Sequence, residues 1–223
     1  KCNVDGRTSA APQSVNAEVC QLIGYGSYSF NDSTVANVQL DFGKNNVEFN
    51  RTIDFTNTVA KSDYNSHSLH IGVGLDKGYN LGAVDTLVAS VRADYTKIKD
   101  DAYNETGAGL LNLNVESNTA EIFVVGVDGT LNHSLSDKSV LQANIGLGYD
   151  LNNDDVVITA AFEGSPAASF DAQGLEQDPW IANAGLSYIH QAENGIEVQL
   201  TYDVQYREDF LNQSASLKAR WAF

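Results

Sequence analysis

Strict alternation from Gly195 to Phe223 narrows the fold more than any other feature of this chain. From Ile196 the side chains Ile196, Val198, Leu200, Tyr202, Val204 and Tyr206 fall on one side, with Glu197, Gln199, Thr201, Asp203, Gln205 and Arg207 on the other. Successive side chains of a strand point to opposite faces, so the run has one apolar and one polar face. After Glu208 to Asn212 the pattern returns, Ala215, Leu217, Ala219, Trp221 and Phe223 opposing Ser214, Ser216, Lys218, Arg220 and Ala222. Strands of soluble sandwiches usually run about five or six residues. These run about eleven, the length a tilted strand needs to cross a bilayer. In lipid the apolar side must face outward and the polar side a lumen, and only a closed barrel then satisfies every backbone donor and acceptor.

The same period of two recurs upstream. Ala36, Val38, Leu40 and Phe42 alternate with Asn37, Gln39 and Asp41; Leu69, Ile71, Val73 and Leu75 alternate with His70, Gly72, Gly74 and Asp76. Further runs follow at Leu87–Tyr95, Leu111–His133, Leu141–Tyr149 and Trp180–Tyr188, the second of these with a bulge expected near Ser117 to Ala120. Gly43 to Asn46, Asn80 to Ala83, Ser134 to Ser139 and Ala192 to Gly195 read as tight turns. Thr56 to Ser66, Lys97 to Gly109 and Leu151 to Asp178 read as longer connections, and Val156 to Phe162 within the last as a local strand or an extension of a neighbour. Arg51 interrupts the apolar phase of Val47 to Phe55, which a bulge or an arginine near the interface would explain. The expectation is an all-β, antiparallel up-and-down transmembrane β-barrel of about ten strands, within a range of about eight to twelve, with short periplasmic turns and longer extracellular loops.

Composition excludes some alternatives. A formal charge of −16 argues against nucleic acid as a partner, since phosphate binding needs an excess of Lys and Arg. Mean hydropathy is −0.24 and no run approaches the ~18 to 20 apolar residues of a membrane helix. A barrel strand shows only every second residue to lipid, so that average does not exclude a membrane. The sequence has no Met and no signal peptide, the expectation for a mature exported chain whose leader has been removed.

The end Ser216-Leu-Lys-Ala-Arg-Trp-Ala-Phe223 resembles the terminal strand of Gram-negative outer-membrane barrels. The run from Ala161-Phe-Glu-Gly-Ser through Gly185-Leu-Ser-Tyr and Tyr202-Asp to Phe223 is similar to the autotransporter β-domain. Tyr25-Gly-Ser-Tyr28, Arg51-Thr-Ile, Arg92-Ala-Asp-Tyr95 and Asp101-Ala-Tyr-Asn-Glu105-Thr-Gly-Ala-Gly fit the same family. The resemblance covers roughly residues 21 to 223 and divides the chain into that barrel and an N-terminal segment, residues 1–20. It implies an outer-membrane location, lipid as surroundings, and a barrel-assembly machinery that reads the aromatic end, Trp221 and Phe223. It also implies a passenger, or another outer-membrane or periplasmic protein, as partner. Members usually carry twelve strands, so the chain is expected to begin part-way into the family pattern. In an oxidising periplasm Cys2 and Cys20 would form a disulfide closing a loop of about 18 residues, contributing about 3 kcal/mol in the chain-entropy model.

The inward polar residues are the place to look for function. Arg92, Asp94, Asp128, Glu197, Asp203, Arg207, Lys218 and Arg220 are expected to share the lumen. They would form either a charged lining that guides a polypeptide or solute, or a salt-bridge network filling a narrow barrel. The functional expectation is a membrane anchor and translocation pore. The alternatives are a scaffold barrel with a plugged lumen in a larger assembly, or a rim protease using Asp63 and His67, which flank one expected outer loop end, with Asp154 and Asp155 in another. No catalytic residue is assigned, because nothing in the sequence brings those loops together. No cofactor or metal is expected either: the calcium-like start at Asp150 lacks the sixth-position glycine and has Ala161 where the bidentate Glu belongs.

Overall fold

Alternation becomes register in the computed structural model, which describes residues 2–6, 13–153, 156–174, 178–192, 195–208 and 210–221, with side chains from residue 13 onward. In chain order the strands are β1 (Cys2–Gly6), β2 (Gln13–Asn31), β3 (Thr34–Ile53), β4 (Thr58–Asn80), β5 (Asp85–Asp100), β6 (Tyr103–Asn104), β7 (Leu113–Val115), β8 (Asn118–Ser136), β9 (Ser139–Asp150), β10 (Val157–Phe162), β11 (Ser169–Gln173), β12 (Trp180–Gln191), β13 (Ile196–Arg207) and β14 (Phe210–Trp221). A 3-10 turn, Gly109–Leu111, precedes β7. Among the described residues ten strands form one antiparallel sheet in the order β1-β2-β3-β4-β5-β8-β9-β12-β13-β14; β11, β10, β7 and β6 form a second. Among the described residues the edges of the large sheet are β14 and β1, and β1 covers only Gln13–Ala17 of β2.

Register explains why alternation persists. Val38, Val73, Ala93 and Val125 lie abreast on β3, β4, β5 and β8, and Tyr149 and Trp180 continue the row. A slip of one residue on any strand would turn its polar set outward. Among the described residues proline, which cannot donate to a ladder, stays outside the strands: Pro166 lies in a loop and Pro179 immediately before β12.

The two rims differ. One carries the short connections 32–33, 81–84, 137–138 and 192–195. The other carries residues 101–117 and 151–179, within which the second sheet forms. β9, β12, β13 and β14 have 12 residues each, enough to cross a bilayer at a steep tilt. β2, β3 and β4 have 19, 20 and 23 residues, and stand above the long-loop rim.

That height corrects several sequence expectations. No turn forms at Gly43 to Asn46, and β3 runs through it. Asn45 and Asn46 pair with Ser66 and Asn65 in ladder above the apolar band, where both faces are polar and alternation fades. Thr56 to Ser66 is likewise not a loop: Asp54–Asn57 makes the turn, with Asn57 at φ 52°, and β4 starts at Thr58. β5 continues to Asp100, and the register shift in β8 falls between Ser134 and Ser136 rather than near Ser117. Among the described residues the large sheet has ten strands, but not the ten expected: the two runs read as separate strands at 34–55 are one, and β1 supplies another. The boundary expected after residue 20 falls inside β2. The bridge expected between Cys2 and Cys20 is not made. Cys20 is a free, exposed thiol, and register sets Cys2 opposite Ala17, three residues or roughly 10 Å along the strand from Cys20. Disulfides need Cα atoms within about 7 Å.

Apolar burial is sparse. Large side chains point outward, Ile145 at 71% and Leu217 at 73% exposure. Of the buried apolar residues, Val47, Ile53, Ala60, Val115 and Ala160 belong to elements at the long-loop rim. A soluble chain of this size would bury a large central core. An inside-out distribution is what lipid requires.

Candidate functional site

The concave face of the large sheet carries the polar half of each alternating strand. A cavity of about 780 Å³ there is lined by residues of β2, β3, β4, β5, β8 and β9, including Tyr25, Asn37, Asp76, Arg92, Asp128 and Asn144. The sheet therefore curls far enough for six strands to share one space. A second cavity of about 220 Å³ adjoins Arg92, Asp128, Asn183 and Arg207, carrying the polar lining on to β12 and β13.

Within this lining, hydrogen bonds run from strand to strand. Gln39 Nε2 donates to Asp41 Oδ2 at 2.8 Å, and His70 Nδ1 lies 2.6 Å from the same oxygen. His70 Nε2 is 3.3 Å from Asp94 Oδ1, while Arg92 Nε donates to Asp94 Oδ2 at 2.7 Å. Asn37 donates to Asp76. Farther round, Gln142 donates to Asn132 at 2.7 Å, Ser187 pairs with Thr201 at 2.9 Å, and Arg207 lies 3.7 Å from the buried Asp150.

Of the residues expected in the lumen, Arg92 and Asp94 are bonded and Asp128 lines the same cavity. Arg207 joins the lining through Asp150, and Asp203 lies opposite Gly185. Glu197 and Arg220 form an exposed pair at 3.2 Å near the short-turn rim, with Lys218 beside them opposite Gln199. The eight thus fall into two groups. Sequence reasoning passed over Asp41, His70, Asp76 and Asp150 as site residues. Their signal was present in the phase they share with Gln39, Gly72, Gly74 and Gly148. Asp63 and His67 sit on β4 opposite Glu48 and Lys99, and His67 lies 4.0 Å from Asp101, so they do not flank a loop end. Asp154, Asp155 and Phe223 lie outside the described residues.

The long-loop rim holds a second constellation. Arg51, which broke the apolar phase, donates from Nε and Nη2 to Glu105 at 3.0 and 2.5 Å, and from Nη2 to Leu111 O at 3.0 Å. Glu105, 3% exposed, also accepts from Leu113 N at 2.8 Å. The Arg51 side chain thus ties β3 to the connection between β5 and β8, with no bulge at that position. Lys61 and Thr106 exchange backbone hydrogen bonds at 2.8 Å. Gly107 makes this approach possible: its φ is +98°, and a Cβ would meet Val59 O at 2.6 Å. Tyr64 and Tyr103 stack with centroids 4.6 Å apart. Burial first, then Tyr64, Glu105 and Asp100, push the Tyr103 hydroxyl up to about 12; burial and Asp100 raise Tyr64.

Comparison with known proteins agrees with this architecture. The translocator domain of the autotransporter NalP from Neisseria meningitidis superposes with a TM-score of 0.76 at 19% identity, covering 96% of this chain and 68% of that one. The β-domain of the Bordetella autotransporter BrkA gives 0.58 at 13%, covering 99% and 87%, and the transport unit of Escherichia coli AIDA-I gives 0.57 at 13%, covering 98% and 72%. These likenesses concern the fold. No curated protein matches the sequence. The family model described as Autotransporter beta-domain matches residues 3–203, nearly the whole chain, so the protein belongs to the autotransporter β-domain family.

Proposed function

We propose that the concave face is the wall of the conduit along which this domain passes its passenger. The domain anchors in the outer membrane of a Gram-negative bacterium and translocates a passenger, the work of its family. What supports the conduit reading is the division of faces, an apolar outer surface around a polar cavity of about 780 Å³. The short-turn rim is then periplasmic and the long-loop rim extracellular.

On this reading Arg92, Asp94, Asp128, Glu197, Asp203, Arg207, Lys218 and Arg220 act as a fixed electrostatic lining, together with Asp41, His70 and Asp150, and not as a catalytic set. Lipid is the partner of the outward face. Trp221, 69% exposed at the end of β14, and Phe223 form the aromatic end that the barrel-assembly machinery reads.

Single-channel recording of the full-length protein in planar bilayers tests the proposal. Steady conductance through the wild-type lumen is expected. A silent, fully inserted protein that holds a partner through purification would overturn the open conduit in favour of a plugged scaffold.

A further inference from the structure

Four charged residues of the lining lie directly opposite glycines. Register pairs Asp94 with Gly72, Arg92 with Gly126, Asp128 with Gly146, and Asp203 with Gly185. In the three aspartate pairs the carboxylate occupies the space a Cβ would need, whereas at Gly126 the Arg92 side chain makes only ordinary contact. At Gly72 a Cβ would come within 2.9 Å of Asp94 Oδ1, and at Gly126 within 3.5 Å of Arg92 Cγ. At Gly146 it would overlap Asp128 Oδ1, and at Gly185 it would overlap both Asp203 Oδ1 and Asn144 Oδ1. None of these glycines has a positive φ, so the backbone itself does not demand them. What they provide is a shelf on the wall.

We propose that Gly72, Gly146 and Gly185 set the bore of the lumen, by letting Asp94, Asp128 and Asp203 lie flat across the neighbouring strand instead of projecting inward. The proposal rests on the conduit reading and names the residues that shape it. A barrel wall of about ten strands leaves little lumen beyond what its side chains fill, so a few carboxylates turned inward would obstruct it. Folded over glycine, they leave the cross-section open and place their charge at the wall. A passing segment then meets a smooth surface with negative charge at fixed positions. The arrangement specifies pairs, not single residues: an antiparallel pair has a local two-fold axis, so exchanging its two residues should preserve the packing.

Conductance of full-length variants in planar bilayers tests this, with band shift on heating in detergent gels reporting whether each variant folds. Gly146→Ala should lose roughly half of the wild-type conductance, as a lumen this narrow has little area to spare. The exchanged pair, Asp128→Gly with Gly146→Asp, should conduct like wild type, and Asp128→Ala with Gly146→Ala at least as well. An unchanged conductance in folded Gly146→Ala overturns the proposal. So does an exchanged pair as impaired as Gly146→Ala, or one that fails to fold, since glycine would then be serving the backbone at position 146. A silent wild type would contradict the conduit reading instead.

Discussion

Replacing Glu105 by alanine should free the extracellular connection between β5 and β8 while leaving the membrane wall folded. Glu105 is nearly inaccessible, binds Arg51 through both carboxylate oxygens and accepts Leu113 N. Deleting one partner of a buried ion pair strands the other, and such losses cost about 3–5 kcal/mol. Because the elements concerned stand above the membrane band, the loss falls on local opening and not on the whole barrel. Chymotrypsin should therefore cut near Tyr103 and Leu110 at least about a hundredfold faster in Glu105→Ala than in wild type, with heat-modifiable migration retained. Arg51→Ala should behave similarly, and the double variant little worse than either single one. The stacked tyrosines supply a second readout. With Tyr103 raised to about 12 from an unfolded value of about 10, the closed rim keeps its full stability below pH ~10 and loses it as pH climbs through ~12. Two tyrosines should ionise late in a 295 nm titration of the wild type, and closer to pH ~10 in Glu105→Ala. Equal cleavage rates and coincident titrations would refute the role given to this ion pair.

A charge on the outward face should be far more damaging than the same charge one residue away. Ile145 is 71% exposed on the convex side of β9, whereas its neighbour Asn144 lines the cavity. Arginine on the lipid face near the midplane costs about 2–4 kcal/mol, and a lumen substitution is not subject to that penalty. Ile145→Arg should thus lower the midpoint of urea unfolding from liposomes clearly. Asn144→Arg should lower it little, though its side chain will alter conductance. The reverse order would mean that the faces have been assigned the wrong way round.

Which parts of this were legible in the sequence follows from where the chain meets lipid. Inside the membrane, one face must be apolar and the other hydrogen-bonded, so β9, β12, β13 and β14 declare themselves by alternation alone. Above the membrane both faces of a strand meet water. That is why Gly43 to Asn46 looked like a turn and Thr56 to Ser66 like a loop, although both are ladder. Arg51 shows the same limit: its phase conflict marked a real feature, but its partner lies 54 residues away and no local pattern points to it. The lumen lining was half visible. Arg92, Asp94 and Asp128 are charged and in phase, while the glycines beneath them register as mere interruptions of polarity. Their meaning needs the cross-strand register, which fixes that Asp128 faces Gly146 and not Gly148. The bridge between the cysteines was inferred from compartment, and geometry decided otherwise.

In this architecture alternate residues of each wall strand face lipid. Single cysteines introduced along β9 into a variant lacking Cys2 and Cys20, labelled with a fluorophore and reconstituted with nitroxide-bearing lipids, measure this directly. Labels at Ala143, Ile145 and Leu147 should be strongly quenched, and labels at Gln142, Asn144 and Gly146 only weakly. Quenching that is uniform along the strand, or absent from every position, would contradict a wall with one face in lipid and one in the lumen.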